Sequence, residues 1–293
     1  MKVLVTGAGG QLASELQLCA PAHAHIVALG RAELDIADEA AVQRVMAAHR
    51  PDAVMNAAAY TAVDRAESDS ARAYAVNADG PGYLARACAA QGARLIHVST
   101  DFVFSGEACH PYRPGDATAP VSVYGASKRA GEQRVREVLG DAAVIVRTAW
   151  VYSRLGNNFV KTMLRLMAER EQLSVVADQV GTPTWAHGLA AALWRVVERP
   201  HIAGTLHWTD AGIASWYDFA VAIEEEARHQ GLLARRVAVK PIAAIDYPTP
   251  AKRPAWSVLD KSAAWQQLDC VGLHWREALR QMLADLKTHG DTL

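Results

Sequence analysis

Tyr124 and Lys128 stand four residues apart in Val123-Tyr124-Gly125-Ala126-Ser127-Lys128. On a helix that spacing puts both side chains on one face. A phenol titrates at about 10 in water and is a poor proton carrier at neutral pH. An ammonium held beside it stabilises the phenolate and is expected to pull that value toward the working range. The same spacing also describes an amphipathic helix with an aromatic edge and a solvated lysine. It gains weight from the start of the chain, where Val3-Leu4-Val5-Thr6 is an apolar run, Gly7-Ala8-Gly9-Gly10 breaks it, and Gln11-Leu12-Ala13-Ser14-Glu15-Leu16 resumes with helical spacing. Strand, glycine turn, helix is the order that aims backbone N–H groups at a pyrophosphate. The two features, separated by enough chain for several strand–helix units, predict a site for nicotinamide chemistry.

Further residues fall where such a site needs them. His97-Val98-Ser99 ends a strand-like run and Thr100-Asp101-Phe102 follow; ligands of open α/β sheets bind at that carboxyl edge. A Thr100 hydroxyl there can bond a substrate oxygen or tune the tyrosine, or simply cap a turn. Asn56-Ala57-Ala58-Ala59-Tyr60 closes another run with three side chains too small to obstruct a flat ring, although tight helix–sheet packing asks for the same residues. Gly30-Arg31 stands where NAD-preferring folds place an acid on the ribose, so Arg31 is expected either to meet a 2′-phosphate or to be an ordinary exposed arginine. Asp35 and Ile36 are positioned to flank an adenine.

The elements that must hold these residues alternate. Short β-branched runs at 25–29, 52–56, 94–99 and 143–147 follow the first strand, with helices expected over 39–49, 64–91 and 123–139. Such alternation predicts an α/β fold, a Rossmann-type doubly wound parallel sheet. Beyond residue 150 the pattern loosens. Helices are expected over 158–171, 184–198, 216–230 and 275–287, strands over 173–177 and 204–209, and a proline-rich surface loop over 241–254. We read residues 1–150 as a nucleotide-binding domain and 151–293 as a smaller C-terminal substrate-binding part, interleaved with the last strands of the sheet.

A chain of 293 residues, 51% hydrophobic and 21% charged, is long enough for one large or two modest cores. Thirty Lys plus Arg against thirty-one Asp plus Glu give a formal charge of −1, which offers no broad field for nucleic acid or an anionic membrane. Met1-Lys2 runs straight into the first strand without a leader-like apolar stretch, so a cytoplasmic protein is expected. Cys19, Cys88, Cys109 and Cys270 are far apart, and the eleven His show no ligand spacing; reduced thiols and no metal are expected.

The whole chain resembles the extended short-chain dehydrogenase/reductases and, among them, the dTDP-4-dehydrorhamnose reductase family. The resemblance rests on Gly7-x-x-Gly10-Gln11-Leu12, on Asn56-Ala57-Ala58-Ala59-Tyr60-Thr61-Ala62-Val63-Asp64, and on Ser99-Thr100-Asp101. It continues through Val123-Tyr124-Gly125 with Lys128, Arg147-Thr148-Ala149-Trp150-Val151-Tyr152, Asn157-Asn158-Phe159, Asp178-Gln179-x-Gly181-x-Pro183-Thr184 and Tyr247-Pro248-Thr249-Pro250-Ala251-x-Arg253-Pro254. It implies reduction of a 4-keto-6-deoxy nucleotide sugar by NADPH, with NADH also able to serve. It implies Tyr124 as proton donor, Lys128 as its partner and ribose ligand, Thr100 and Asp101 at the substrate, and Trp150 and Arg253 gripping the sugar nucleotide. Gly7, Gly10, Gln11, Leu12, Arg31, Asp35, Ile36, Ala57, Ala58, Ala59, Tyr60 and Thr61 would hold the cofactor. A homodimer is one arrangement the resemblance leaves open. Two positions depart from the pattern: Ala13 replaces a third glycine, and Phe102 stands where many relatives carry tyrosine. Rival readings on the same fold are a 4,6-dehydratase, which needs an acid at the place of Phe102, a 4-epimerase that keeps its NAD, and a non-catalytic regulatory subunit.

Overall fold

The β-branched runs condense into one parallel sheet. In the computed structural model, which describes residues 1–290, the chain runs through β1 (Lys2–Thr6), α1 (Gln11–Leu18), β2 (His25–Leu29), α2 (Glu39–His49), β3 (Ala53–Asn56), α3 (Val63–Ala66), α4 (Ser70–Tyr74), α5 (Gly80–Gln91), β4 (Arg94–Thr100), α6 (Val123–Leu139) and β5 (Val144–Thr148). It continues with β6 (Val151–Tyr152), α7 (Phe159–Glu169), β7 (Gln172–Val176), β8 (Val180–Gly181), β9 (Thr184–Trp185), α8 (Ala186–Glu198), β10 (Gly204–His207), β11 (Ala214–Ser215), α9 (Trp216–His229), β12 (Ala238–Ile242), α10 (Ser262–Leu268) and α11 (Trp275–His289).

The central sheet has the order β10-β5-β4-β3-β1-β2, every pair parallel. Alternation along each strand sends its side chains to two separate cores. Val3 and Val5 of β1 join Leu16 of α1 and Leu189 and Leu193 of α8 on one face. Leu4, between them, joins Val42 and Met46 of α2, Leu84 of α5 and Val135 of α6 on the other. The fold is thus a doubly wound α/β sheet. Strand order reverses beside β1, which lies between β2 and β3, and the crevice at such a switch point is where open sheets take ligands. A third core, built by α7, α9 and α11 with residues such as Leu164, Phe219, Ile223 and Leu283, has all its buried residues beyond residue 150, with Trp150 packed against it. Yet β10, also beyond 150, completes the central sheet by pairing with β5. No helix among the described residues is long and apolar enough to cross a membrane.

Several elements differ from expectation. The helix expected over 64–91 is broken into α3, α4 and α5, with a π turn over Ala75–Asp79. Pro81 has no N–H to return to the Asn77 carbonyl, and the helix widens there. The segment 241–254 is not loop throughout. Pro241 and Ile242 end β12, in register with Val175 and Val176 of β7, and a proline is tolerated because this two-stranded sheet has only edges. The helix expected from 184 begins at Ala186, after the two extended residues of β9.

Candidate active site

A cleft of about 870 Å³ runs across the carboxyl ends of the central strands. The glycine turn lines it through Gly7, Gly10, Gln11 and Leu12, the end of β2 through Arg31, Asp35 and Ile36, and the end of β3 through Ala57, Ala58, Ala59, Tyr60 and Thr61. Thr100, Asp101, Tyr124, Lys128, Trp150 and Arg253 line its other part. The structure therefore brings every residue singled out in the sequence to one cavity. Phe102 and Asn157 join them, and the structure adds Arg72 and Trp216.

The cofactor end is made by close approach. Gly7 has φ +79°, and a Cβ there would stand 2.9 Å from the Ala58 backbone, so the turn can pack on β3 only as glycine. Gly10 is the N-cap of α1, with no side chain capping the helix. The first amides of α1 thus face the cleft free for an anion, which fits a pyrophosphate. Beneath the turn a buried chain holds it: Thr6 Oγ1 donates to Asn56 Oδ1 at 2.7 Å, and Asn56 Nδ2 lies 3.0 Å from His97 Nδ1. At the adenosine end Asp35 sits between two guanidiniums, 2.5 Å from Arg72 and 3.6 Å from Arg31. Its carboxyl is held below the usual range by Arg72, the Ala37 amide and Arg31, against the cost of burial, which is the largest single influence. Arg31, 78% exposed, is the looser partner. Arg72, on α4, left no signal in the sequence. The Ile36 side chain is buried, and a Cβ at Gly80 would press within 2.8 Å of it, so Ile36 serves the packing of α5 as well as the cleft wall.

The chemical end is fixed by a second close approach. A Cβ at Gly125 would stand 2.1 Å from the Phe102 carbonyl oxygen, so α6 can dock on the end of β4 only with glycine there. That contact sets Tyr124 in the cleft wall that Thr100 also lines, and the Phe102 ring meets the Tyr124 ring edge-on at 5.6 Å. Lys128, buried, donates from Nζ to the Val98 carbonyl at 2.8 Å. The expected downward pull on the phenol is not what the site shows. Burial pushes Tyr124 up to about 12, opposed by a bond with Thr100 and reinforced by the charge of Asp101. Burial likewise brings Lys128 down to about 8, opposed by Glu132 one turn on. In this geometry desolvation outweighs the ammonium, and Tyr124 is held firmly protonated at neutral pH. That is the state a proton donor requires. Glu132, the anionic support that the sequence did not reveal, is itself buried and bonded twice to Arg147, at 2.8 and 2.7 Å.

At the substrate end Trp150 follows β5 with a left-handed φ of 47°. Its indole stacks on Trp216, centroids 3.5 Å apart and 6° from parallel. Trp216 is placed by a capping box, Ser215 with Asp218, at the start of α9. Arg253 is engaged within the protein: Nη1 and Nη2 donate to Asp64 Oδ1 and Oδ2 at 3.0 and 2.8 Å. The loop bearing Arg253 is thereby tied to the segment after β3, and a phosphate at Arg253 would share it with Asp64.

Outside the cleft, Glu15, Cys19 and His187 meet where α1 packs on α8, with their ligand-type atoms within 4.8 Å of one another. Spacing along the chain, from which no metal was expected, does not reveal a group assembled from positions so far apart. His187 is pushed up to about 10 by its bonds with Cys19 and Glu15.

Residues 1–288 match the model of the family described as the RmlD substrate binding domain. A dTDP-4-dehydrorhamnose reductase of Streptomyces griseus is 46% identical over 284 residues, covering 95% of this chain and 91% of that protein. The structure of a dTDP-4-dehydrorhamnose reductase from Clostridium acetobutylicum superposes with a TM-score of 0.91 at 40% identity, covering 98% of this chain and all of that one, 100%. One from Bacillus anthracis, solved in complex with NADP, does so with 0.90 at 36% identity, covering 97% and 99%. A match over nearly the full length, with the glycine turn, the Thr100-Tyr124-Lys128 constellation and the Trp150 and Arg253 segments all facing one cleft, places this chain in the RmlD family of nucleotide-sugar reductases.

Proposed function

We propose that this protein is an oxidoreductase that reduces the C4 keto group of dTDP-4-dehydro-L-rhamnose to give dTDP-L-rhamnose, using NADPH and accepting NADH. The observation that carries this reading is the convergence of Thr100, Tyr124 and Lys128 at one end of a cleft whose other end is an uncapped helix N-terminus behind a glycine turn. A bound reduced nicotinamide supplies hydride to the carbonyl carbon. Tyr124, kept protonated by burial, gives its proton to the oxygen. Lys128, fixed by the Val98 carbonyl, offers its remaining donors to a ribose and its charge to the phenolate left behind. The Trp150–Trp216 stack closes the side of the sugar, and Arg253, shared with Asp64, meets the diphosphate. Residues 1–150 carry the cofactor contacts and the reacting groups, and 151–293 add Asn157, Trp216 and Arg253 to the substrate wall. The proposal includes a cytoplasmic site of action and a homodimer, to be checked by light scattering.

The dehydratase alternative lacks its acid, since Phe102 lies against Tyr124 and cannot move a proton. The epimerase and regulatory alternatives are separated from the reductase by isotope transfer. With NADPH deuterated at the transferred position and a dTDP-4-keto-6-deoxyhexose, we expect one cofactor oxidised per product and deuterium at C4. Sugar conversion without cofactor consumption would sink the reductase reading.

A further inference from the structure

The Thr100 hydroxyl has one proton and three claimants on its oxygen. It donates to Asp101 Oδ1 at 2.9 Å and accepts from the Phe102 amide at 3.2 Å. Its third neighbour is Tyr124, which lines the same end of the cleft and whose phenol Thr100 draws downward. Asp101 is only 2% exposed. Its Oδ2 has no hydrogen-bond partner among the described residues, although the Ser257 hydroxyl lies beside the carboxyl. A buried carboxyl with one oxygen unsatisfied in a ligand cleft calls for an explanation beyond packing.

Proton counting supplies one. While Asp101 is ionised it holds the only Thr100 proton, and Thr100 can meet Tyr124 solely as an acceptor. When Asp101 carries a proton of its own, the Thr100 proton is free to turn toward the phenol oxygen. We propose that Asp101 is a positioning residue that sets, through Thr100, whether Tyr124 faces a hydrogen-bond acceptor or a donor. The inference rests on the reading of Tyr124 as the proton donor of a carbonyl reduction. In that reaction a donor from Thr100 stabilises the phenolate formed as Tyr124 gives up its proton. The proton then returns along the same line: from Thr100 to the phenolate and from the Asp101 carboxyl to Thr100, leaving a carboxylate that recovers its proton from water.

The surroundings make Asp101 suited to change state. Burial raises it to about 6, against the lowering influence of the Ser257 hydroxyl beside it, the Thr100 bond and the Asp101 and Phe102 amides. From α6 the titratable groups on this side are Tyr124 and, one turn on, Lys128. The loop that brings Ser257 also carries Arg253, whose guanidinium is engaged by Asp64.

The test reads Tyr124 directly and needs no turnover. In protein labelled with ¹³C at tyrosine Cζ, the Tyr124 resonance is assigned by its loss in Tyr124→Phe and followed from pH 5 to 8. We expect a single titration step in that range. Asp101→Asn should abolish it, and Thr100→Val should remove most of it, whereas Thr100→Ser, which keeps the hydroxyl, should restore it. Absence of the step in the parent protein, or its survival in Asp101→Asn, overturns the proposal. A step that persists in full in Thr100→Val also overturns it, because Asp101 would then act on the phenol by charge alone. Cofactor oxidation measured separately shows whether the reductase reading itself stands, so the two failures are distinguishable.

Discussion

At the scale of single residues, the site depends on buried groups whose neighbours fix their protonation. Tyr124→Phe keeps the ring that packs on Phe102 and removes the proton, so turnover should fall at least roughly a hundredfold with little change in cofactor affinity; single-turnover rates with a separate NADPH titration check this. The adenosine end gives a second expectation. Arg31 and Arg72 flank Asp35, and only NADPH brings a 2′-phosphate to that trio. Arg31→Ala should cost NADPH about 1–3 kcal/mol of binding and NADH far less, measured as the ratio of dissociation constants. Equal losses would leave Arg31 outside cofactor choice. These residues were legible because type and spacing carried them: a glycine turn after a strand, and a tyrosine one helical turn before a lysine. Arg72, Glu132 and Trp216 were not. Each has an ordinary helical context in the sequence and acquires its role only when another segment folds against it.

At the scale of elements, position comes from helices docking on strand ends, and Gly125 is the tightest such joint. Gly125→Ala would drive a Cβ into the Phe102 carbonyl, so α6 must lift and carry Tyr124 and Lys128 with it. We expect loss of most activity together with a lower melting temperature, read by calorimetry beside the rate; normal activity would mean that α6 does not locate the tyrosine. The central strands were plain in the sequence because a strand buried on both faces is continuously apolar. The long helix over 64–91 was misjudged because nothing in the residue pattern announces the turn at 67–69 that separates α3 from α4, or the widening to a π turn at Ala75–Asp79. The pairing of β12 with β7 was missed because proline argues for loop, and only the edge position in a two-stranded sheet lifts that objection. The two-residue strands β6, β8, β9 and β11 are too short for any periodicity to announce them.

At the scale of the whole molecule, buried ionisable groups oppose one another. His207, lowered to about 3, and His97, also lowered, are held neutral by burial, so between pH 6.5 and 4 the unfolded chain takes up protons there that the fold refuses. Asp101 and Asp210, raised to about 6 and about 7, do the reverse. Glu132 stands apart, lowered to about 2 by Arg147 against the cost of burial. Its contribution is present above the unfolded value near 4.5 and is lost as pH falls toward 2, to the extent of about 3 kcal/mol. Urea midpoints should therefore change little from pH 7 to about 4.5 and drop steeply below it; a steady decline from pH 7 would show that the imidazoles dominate. A separate whole-molecule trait is that β5 finds its outer neighbour only in β10, with 55 residues between Thr148 and Gly204. A ribosome adding about 5–20 residues per second takes roughly 3–11 s over that stretch. Throughout it, the nascent chain presents the bare hydrogen-bonding edge of β5 to any other strand nearby, including one from the next ribosome on the same message. The yield of native protein in a cell is thus governed in part by translation speed across codons 149–203 and by whatever chaperone shields that edge.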